Sequence, residues 1–371
     1  MITILACGDV GVKRSDCDSI FAGCASTLGR ADLCFAQLET TISERGSKVP
    51  NARLAMRAPP AMARAAKAAG IDVMSFAGNH CLDYGYEAFE DTMRHAAAAG
   101  IALCGAGESL EAARRPALID ASGVRVAVLA ASSILPEGYA AEAEKAGCAP
   151  LRAHTVYEQI ELDQPGTPAR ILTFPDQGDL EALAAGIRNA RANADVILVS
   201  LHWGIHMVPT AIARYQIAAA HAAIEAGADA VLGHHPHLLK GVEFHRGRPI
   251  FYSLGNFAIE QPHVWDPAIT RSASFKNLVG LNPAWNMGHV YMLPAVTRMT
   301  GVAKLVLSAN RPPDVRFIPA WIADDSTPKF LESNDPHFSE VAEFIAASTR
   351  DAGFNTTVAV AGDELLLQPG A

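Results

Sequence analysis

No apolar run in these 371 residues approaches the eighteen or so that a membrane-spanning helix needs. Basic charge is in deficit. The chain has 30 Lys and Arg against 39 Asp and Glu, a formal net charge of −9, which argues against a nucleic-acid footprint. The cysteines lack a pairing pattern: there are seven, an odd number, all before Pro150 and with no Cys-x-x-Cys spacing. That favours reduced thiols and a cytoplasmic setting over a disulfide framework, and it argues against cysteine ligation of zinc. The first residues, MITILACGDV, have no basic n-region and no cleavage site, so a signal peptide is not expected. Internal repeats and low-complexity tracts are absent, apart from alanine enrichment in helical segments. What is present is ordinary globular composition, 50% hydrophobic and 19% charged, enough for a large core in one or two domains.

Short apolar runs alternate with alanine-rich helical segments along the chain, which argues α/β architecture. Strands are expected at 2–7, 33–38, 71–77, 124–131, 196–201, 228–232 and 249–254, then at 290–295, 303–308 and 315–320. Helices are expected at 59–69 and 86–99, stopped by Gly70 and Gly100, at 179–192, and at 211–226, stopped by Gly227. Residues 133–176 are punctuated by Pro and Gly, among them Pro136, Gly138, Pro150, Pro165, Gly166 and Pro168, and read as an irregular insertion. Residues 260–289 lack periodicity and read as a lid loop containing His263, Trp265, Asp266 and Trp285. The main domain is read as 1–328, followed by a helical tail at 329–371 with its helix near 338–349.

Polar residues gather where the strands stop. Asp9 follows the first, Glu39 the second, and Asn79 and His80 the third, with Asp83 in the same loop. Later strands end in His202-Trp203-Gly204, in Gly233-His234-His235-Pro236-His237 and in Gly255-Asn256-Phe257. In open α/β sheets ligands bind at the carboxyl ends of strands. Seven of the 13 histidines lie between His202 and His245. Imidazole at this density, with one His-x-His spacing, is hard to place as packing, and neutral imidazole suits manganese, zinc and iron.

Taken in order, Gly8-Asp9-Val10, Gln37-Leu38-Glu39-Thr40, Gly78-Asn79-His80 with Asp83-Tyr84-Gly85, His202-Trp203-Gly204, His235-Pro236-His237 and Ser253-Leu254-Gly255-Asn256-Phe257 resemble the CapA family, named for poly-γ-glutamate capsule biosynthesis. That family resembles the calcineurin-like metallophosphoesterases. The resemblance implies a four-layer αββα sandwich holding one or two divalent metal ions, manganese, zinc or iron. It implies Asp9 as a ligand of one metal, Glu39 as the bridging acid, and Asn79 and His202 on the second metal. His235 and His237 divide between the two, and His80 is the general acid or base. His234 is an extra neighbour that could replace His235. The phosphoesterase pattern has a His two residues after its first Asp, where this chain has Gly11, and an Asp in place of Glu39. His206 stands where CapA-like sequences usually show an acid.

The leading functional expectation is a metal-dependent hydrolase of a peptide or γ-glutamyl/amide-type substrate. The alternatives are a peptide epimerase working by Cα proton transfer, with His206, His289 or Asp83 as the second acid/base group, a phosphoesterase, and a non-catalytic polyglutamate or capsule assembly protein. A polyglutamate-like substrate is the expected partner, with no nucleic acid. Oligomeric state is not legible.

Overall fold

The computed structural model describes the whole chain except residues 53, 162, 164–165, 261–269, 282–284, 286–290, 309–310 and 371. The strands that carry the site are β1 (Ile2–Gly11), β2 (Leu33–Leu38), β3 (Val73–Ser75), β4 (Ala102–Cys104), β5 (Ala117–Ala121), β6 (Val124–Ser132), β7 (Val196–His202), β8 (Ala230–His234), β9 (Val242–His245), β10 (Arg248–Phe251), β11 (Asn256–Ile259), β12 (Met299–Leu307), β13 (Asp314–Ile322), β14 (Thr357–Ala361) and β15 (Glu364–Gln368). The helices named below are α1 (Ala61–Ala68), α2 (Gly85–Ala99), α3 (Gln177–Ala190), α4 (Arg214–Glu225) and α5 (Pro336–Asp351).

Two large sheets form the body of the described residues, beside three two-stranded ones. The larger, ten-stranded sheet runs β14-β15-β13-β12-β1-β2-β3-β4, with β11 also paired to β1 and the short strand Pro328–Phe330 paired to β13. The smaller, six-stranded sheet runs β9-β10-β8-β7-β6-β5. β1, β2, β3 and β4 are mutually parallel, as are β6, β7, β8 and β10. Parallel strands need covering on both faces, and their near-continuous apolar sequences meet that need. One core joins Ile4, Phe35 and Met74 of the large sheet to Val128, Leu198 and Leu232 of the small one. The opposite face of the small sheet, with Leu129, Ile197 and Val231, packs on Leu183, Ile187 and Ala219 of α3 and α4. Helices α1 and α2 bring Met62, Phe89 and Ala96 to the large sheet, and α5 brings Phe338, Val341 and Ile345. The result is the expected αββα sandwich.

The expected helix stops are present. Gly100 takes φ 78° after α2, and its N–H donates to the carbonyls of Ala96 and Ala97. Other readings need correction. The tail 329–371 is not only helical: β14 and β15 form a hairpin whose second strand pairs with β13 in the large sheet. The insertion 133–176 contains a regular antiparallel hairpin, Ala153–Glu158 with Arg170–Pro175. Its strands are mostly exposed on both faces, which removed the apolar alternation that would have marked it. No strand forms among the described residues of 290–295. There Tyr291, Met292 and Leu293 are buried without pairing, and a 3₁₀ turn, Ala295–Arg298, follows Pro294. Within 260–289 a helix runs Ala273–Leu281. His263, Trp265, Asp266 and His289 lie outside the described residues.

All seven cysteines are buried and free. Cys7 and Cys34 approach to 3.9 Å between sulfurs, well beyond a disulfide bond. Burial pushes the Cys24 and Cys104 thiols up to about 12, so they are protonated and unreactive at neutral pH. Native protein should therefore react slowly with a thiol dye, and denatured protein kept anaerobic should titrate all seven. A stable disulfide in native protein would overturn the reduced-thiol reading. Among the described residues, no helix is long and apolar enough to cross a membrane.

Candidate metal centre

Asp9 stands at the junction of three strands. It is in register with Gln37 of β2 and with Asn256 of β11, both parallel to β1. Its backbone N–H donates to the Gly255 carbonyl at 2.9 Å. That close crossing depends on Gly8, where a Cβ would lie 2.1 Å from the Gly255 oxygen. Glu39 leaves the end of β2 and is held there by its N–H to the Val10 carbonyl, 2.8 Å. From the other sheet, His202 ends β7 beside His234, which ends β8. Ligand atoms of Asp9, Glu39 and His202 all lie within 4.8 Å of one another, and all three residues are buried.

Further imidazoles close around this trio. His202 Nδ1 lies 3.5 Å from Glu39 Oε2, while its Nε2–H donates to Asn79 Oδ1 at 2.7 Å. That bond fixes the tautomer and leaves the Nδ1 lone pair toward the acids. His237 Nδ1 sits 2.7 Å from Asn256 Oδ1 and 3.2 Å from Asp9 Oδ2. His234 Nδ1 is 3.4 Å from Asp9 Oδ1, and its ring tilts against Phe35 of the facing sheet. In a continuing strand His234 and His235 would point to opposite faces. His235 instead takes φ 93°, which ends the alternation and brings its ring within 5.0 Å of His202's. His237 is also left-handed at φ 56°. Such backbone in bulky residues costs energy and clusters at functional sites.

His80 and His206 occupy different flanks. His80 Nδ1 bonds Asp83 Oδ2 at 2.6 Å, and its Nε2 reaches to 3.7 Å from Glu39 Oε1. Asp83 is itself pinned: Oδ1 accepts from the Tyr139 hydroxyl at 3.0 Å and Oδ2 from the Met56 N–H at 2.7 Å. His206 stacks on His235 with ring centroids at 5.2 Å and meets His237 edge-on at 5.1 Å. The loop carrying His206 is tied down by Lys240, whose ammonium donates to the carbonyls of Val208 and Ala211. Burial pushes Lys240 down to about 8. Trp285 packs against the apolar cluster of Met207, Tyr291, Leu293 and Ile322, in which Met207 directly follows His206.

Burial dominates the electrostatics of the centre. Burial alone would raise the Asp9 carboxyl, but the adjacent His234 and His237 imidazoles outweigh it and hold Asp9 well below the usual range. Burial, and then the charges of Asp9 and Asp83, push Glu39 well above it. Burial depresses His202 to about 3, against the pull of Asp9. Burial and the neighbouring imidazoles depress His235 well below its ordinary value as well. Both rings are therefore neutral at pH 7, with lone pairs available. Both oxygens of Asp9, both of Glu39, His202 Nδ1, both nitrogens of His234 and His235 Nδ1 are buried with no hydrogen-bond partner. Buried polar atoms are normally satisfied, and this many orphans in one place fit a divalent ion. At Gly11 a Cβ would face Met56 and Ile259, so the position that bears a His in the phosphoesterase pattern here adjoins apolar side chains.

Of the residues singled out from sequence, Asp9, Glu39, Asn79, His80, Asp83, His202, His206, His234, His235 and His237 are thus brought together. His289 lies outside the described residues. Asn256, Tyr139, Tyr291 and Lys240 were missed as site residues. Asn256 had a signal, since it sits at a strand end, and its amide also donates to the Tyr291 hydroxyl at 3.2 Å. Tyr139 had none, because it arrives from the punctuated insertion.

The family model of the bacterial capsule synthesis protein PGA_cap matches residues 3–261, a span containing every described residue of this centre except Trp285 and Tyr291. A probable polyglutamine synthesis accessory protein of Mycobacterium tuberculosis is 34% identical over 230 residues, covering 61% of this chain and 55% of that protein. The capsule biosynthesis protein CapA of Bacillus anthracis is 28% identical over 253 residues, covering 67% of this chain and 56% of that protein. The chain thus spans little more than half the length of these relatives. Among solved structures, a calcineurin-like phosphoesterase from Bacillus subtilis aligns over 95% of this chain and 97% of its own, at 13% identity and a TM-score of 0.42. With a family model matched over more than two thirds of its length, the chain belongs to the bacterial capsule synthesis protein PGA_cap family.

Proposed function

We propose that this protein is a metal-dependent hydrolase of peptide or γ-glutamyl/amide-type bonds, working in the setting of polyglutamate or capsule synthesis. The observation that carries the reading is the buried acid pair Asp9 and Glu39, whose oxygens make no hydrogen bond, ringed by imidazoles, with the His80–Asp83 pair at its edge. Asp9, Glu39, His202, His235 and His237, with Asn79 and His234 beside them, would hold one or two divalent ions, manganese, zinc or iron. When bound, such an ion supplies Lewis acidity, polarising a carbonyl oxygen and making a water more acidic.

The rest is done by the chain's own residues. With Nδ1–H donated to Asp83, His80 keeps its Nε2 lone pair to take a proton, and as imidazolium it returns that proton to a leaving amine. Tyr139 and the Met56 N–H hold Asp83, and through it the ring, in one orientation. A relative named for accessory function in polyglutamine synthesis is compatible with this reading, since trimming or releasing a chain assists its production.

One observation favours a second reading. His206, on the His235–His237 flank, gives the centre an acid/base group apart from His80. Groups on two flanks are what a Cα epimerase uses.

The test incubates the full chain, loaded in turn with manganese, zinc or iron, with a γ-linked glutamate oligomer, an α-linked one and a phosphodiester. Mass spectrometry reads new termini. Metal-dependent cleavage of a glutamyl oligomer is the expected result. Turnover of the phosphodiester alone, or none with full metal occupancy, rejects the hydrolase reading.

A further inference from the structure

A second group of metal-competent side chains lies on the outer side of the small sheet, where α4 packs beside the edge strand β9. His221 and Glu225 are four apart on α4 and so share a helix face. Glu243 and His245 are two apart on β9 and so share a strand face. The two pairs meet. His221 Nε2 lies 2.8 Å from Glu243 Oε1, and His245 Nε2 lies 3.1 Å from Glu225 Oε1. The two imidazoles stack in parallel, with centroids at 3.8 Å and planes 8° apart. Ligand atoms of His221, Glu243 and His245 lie within 4.8 Å of one another.

We propose that His221, Glu243 and His245, with Glu225 beside them, form a peripheral site for a borderline divalent cation such as zinc, which clips α4 to the edge strand. Two imidazole nitrogens and two carboxylates are a donor set that zinc accepts in tetrahedral geometry. Each nitrogen already faces a carboxylate oxygen across a single proton, and a cation takes that proton's place. Zinc bonds of roughly 2.0–2.2 Å set tetrahedral ligand atoms about 3.3 Å apart. The 2.8 Å contact must open slightly, which a His221 side chain 30% exposed and a Glu243 side chain 16% exposed can accommodate. Glu243 is oriented from behind, because the Tyr252 hydroxyl donates to its Oε2 at 2.7 Å and leaves Oε1 forward. Outer partners of this kind are usual at metal sites. Arg246 also contacts Glu225 at 2.9 Å, so Glu225 is a shared and weaker donor. Both pairs stand on regular elements rather than on loops, which fixes their spacing before any ion arrives.

The test dialyses full-length protein against buffered free zinc and measures zinc per chain, with melting temperature as a second readout. The wild type should bind one zinc more than H221A/H245A. The polar double variant H221N/H245Q should lose the same equivalent, and it serves if the alanine variant folds poorly. E243Q should weaken that zinc at least tenfold. The zinc-dependent rise in melting temperature should shrink in all three, while D9N, altered only in the central site, should keep the peripheral equivalent. Equal zinc content and equal melting shifts in wild type and both double variants would overturn the site. Loss of the peripheral equivalent in D9N would overturn its independence from the central one.

Discussion

Asp9→Ala should empty most of the central site while leaving the fold intact. Both carboxylate oxygens of Asp9 are buried and make no hydrogen bond, and the residue lies at the meeting point of β1, β2 and β11 rather than in the apolar core. An outer partner typically costs 10–100-fold in metal affinity, so a direct ligand should cost more than that. Metal-free Asp9→Ala should melt somewhat lower than the metal-free parent, since the substitution removes the His234 and His237 contacts that outweigh the carboxylate's desolvation, while the apolar core is untouched. His237→Ala should act in the same direction on metal content. Elemental analysis after dialysis decides, and full metal content in both variants would reject the ligand assignment. With Gly11 in place of a ligand, uneven occupancy of two sites is expected, and two equally tight sites would count against that part. The binding should also depend on pH. Glu39 is pushed well above the usual carboxylate range, so at pH below its folded-state value it carries a proton that loading must release. Affinity therefore rises with pH while Glu39 remains protonated and levels off above its folded-state value. An affinity that falls as pH rises through that window would contradict the assignment.

His80→Asn should keep metal and lose turnover. The ring reaches to 3.7 Å from Glu39 and is bonded to Asp83, yet it lies outside the trio of Asp9, Glu39 and His202. A general acid or base contributes roughly 10²–10⁴-fold, and asparagine fills similar space without titrating. Expected are unchanged metal content, a similar KM and kcat lower by about that factor. Wild-type turnover in this variant would remove the acid/base role. Running the parent enzyme in deuterated water separates the two enzymatic readings. Hydrolysis yields new termini with no deuterium at Cα, whereas epimerisation yields deuterium at Cα in an intact chain. The second outcome would replace the hydrolase reading and point to His206 as the partner of His80.

Much of this molecule was legible one strand at a time. Runs such as 33–38 and 196–201 are apolar but for one residue each, Gln37 and Ser200, because their strands are buried on both faces, and local composition records that. Glycines stopped the helices where a left-handed residue was needed, as at Gly100. The acids and imidazoles at strand ends were visible because the chain must leave the apolar run there, so a polar residue stands out against its neighbours.

Other features depend on partners distant in sequence. Tyr139 reaches Asp83 from an insertion that looked merely irregular, and the final hairpin reads as a tail until β15 is seen beside β13. His221 and Glu243 look like ordinary surface residues until α4 is laid against β9. His235 turns toward the site through a positive φ, which is uncommon for any residue but glycine and is set here by the surrounding fold. The sequence by itself thus determined which residues end strands and which segments must be buried, because both follow from the chemistry of neighbouring side chains. Only the tertiary structure decided that Asp9 and Glu39 of one sheet face His202 and His234 of the other, because that distance is set by the packing of two sheets across a shared core.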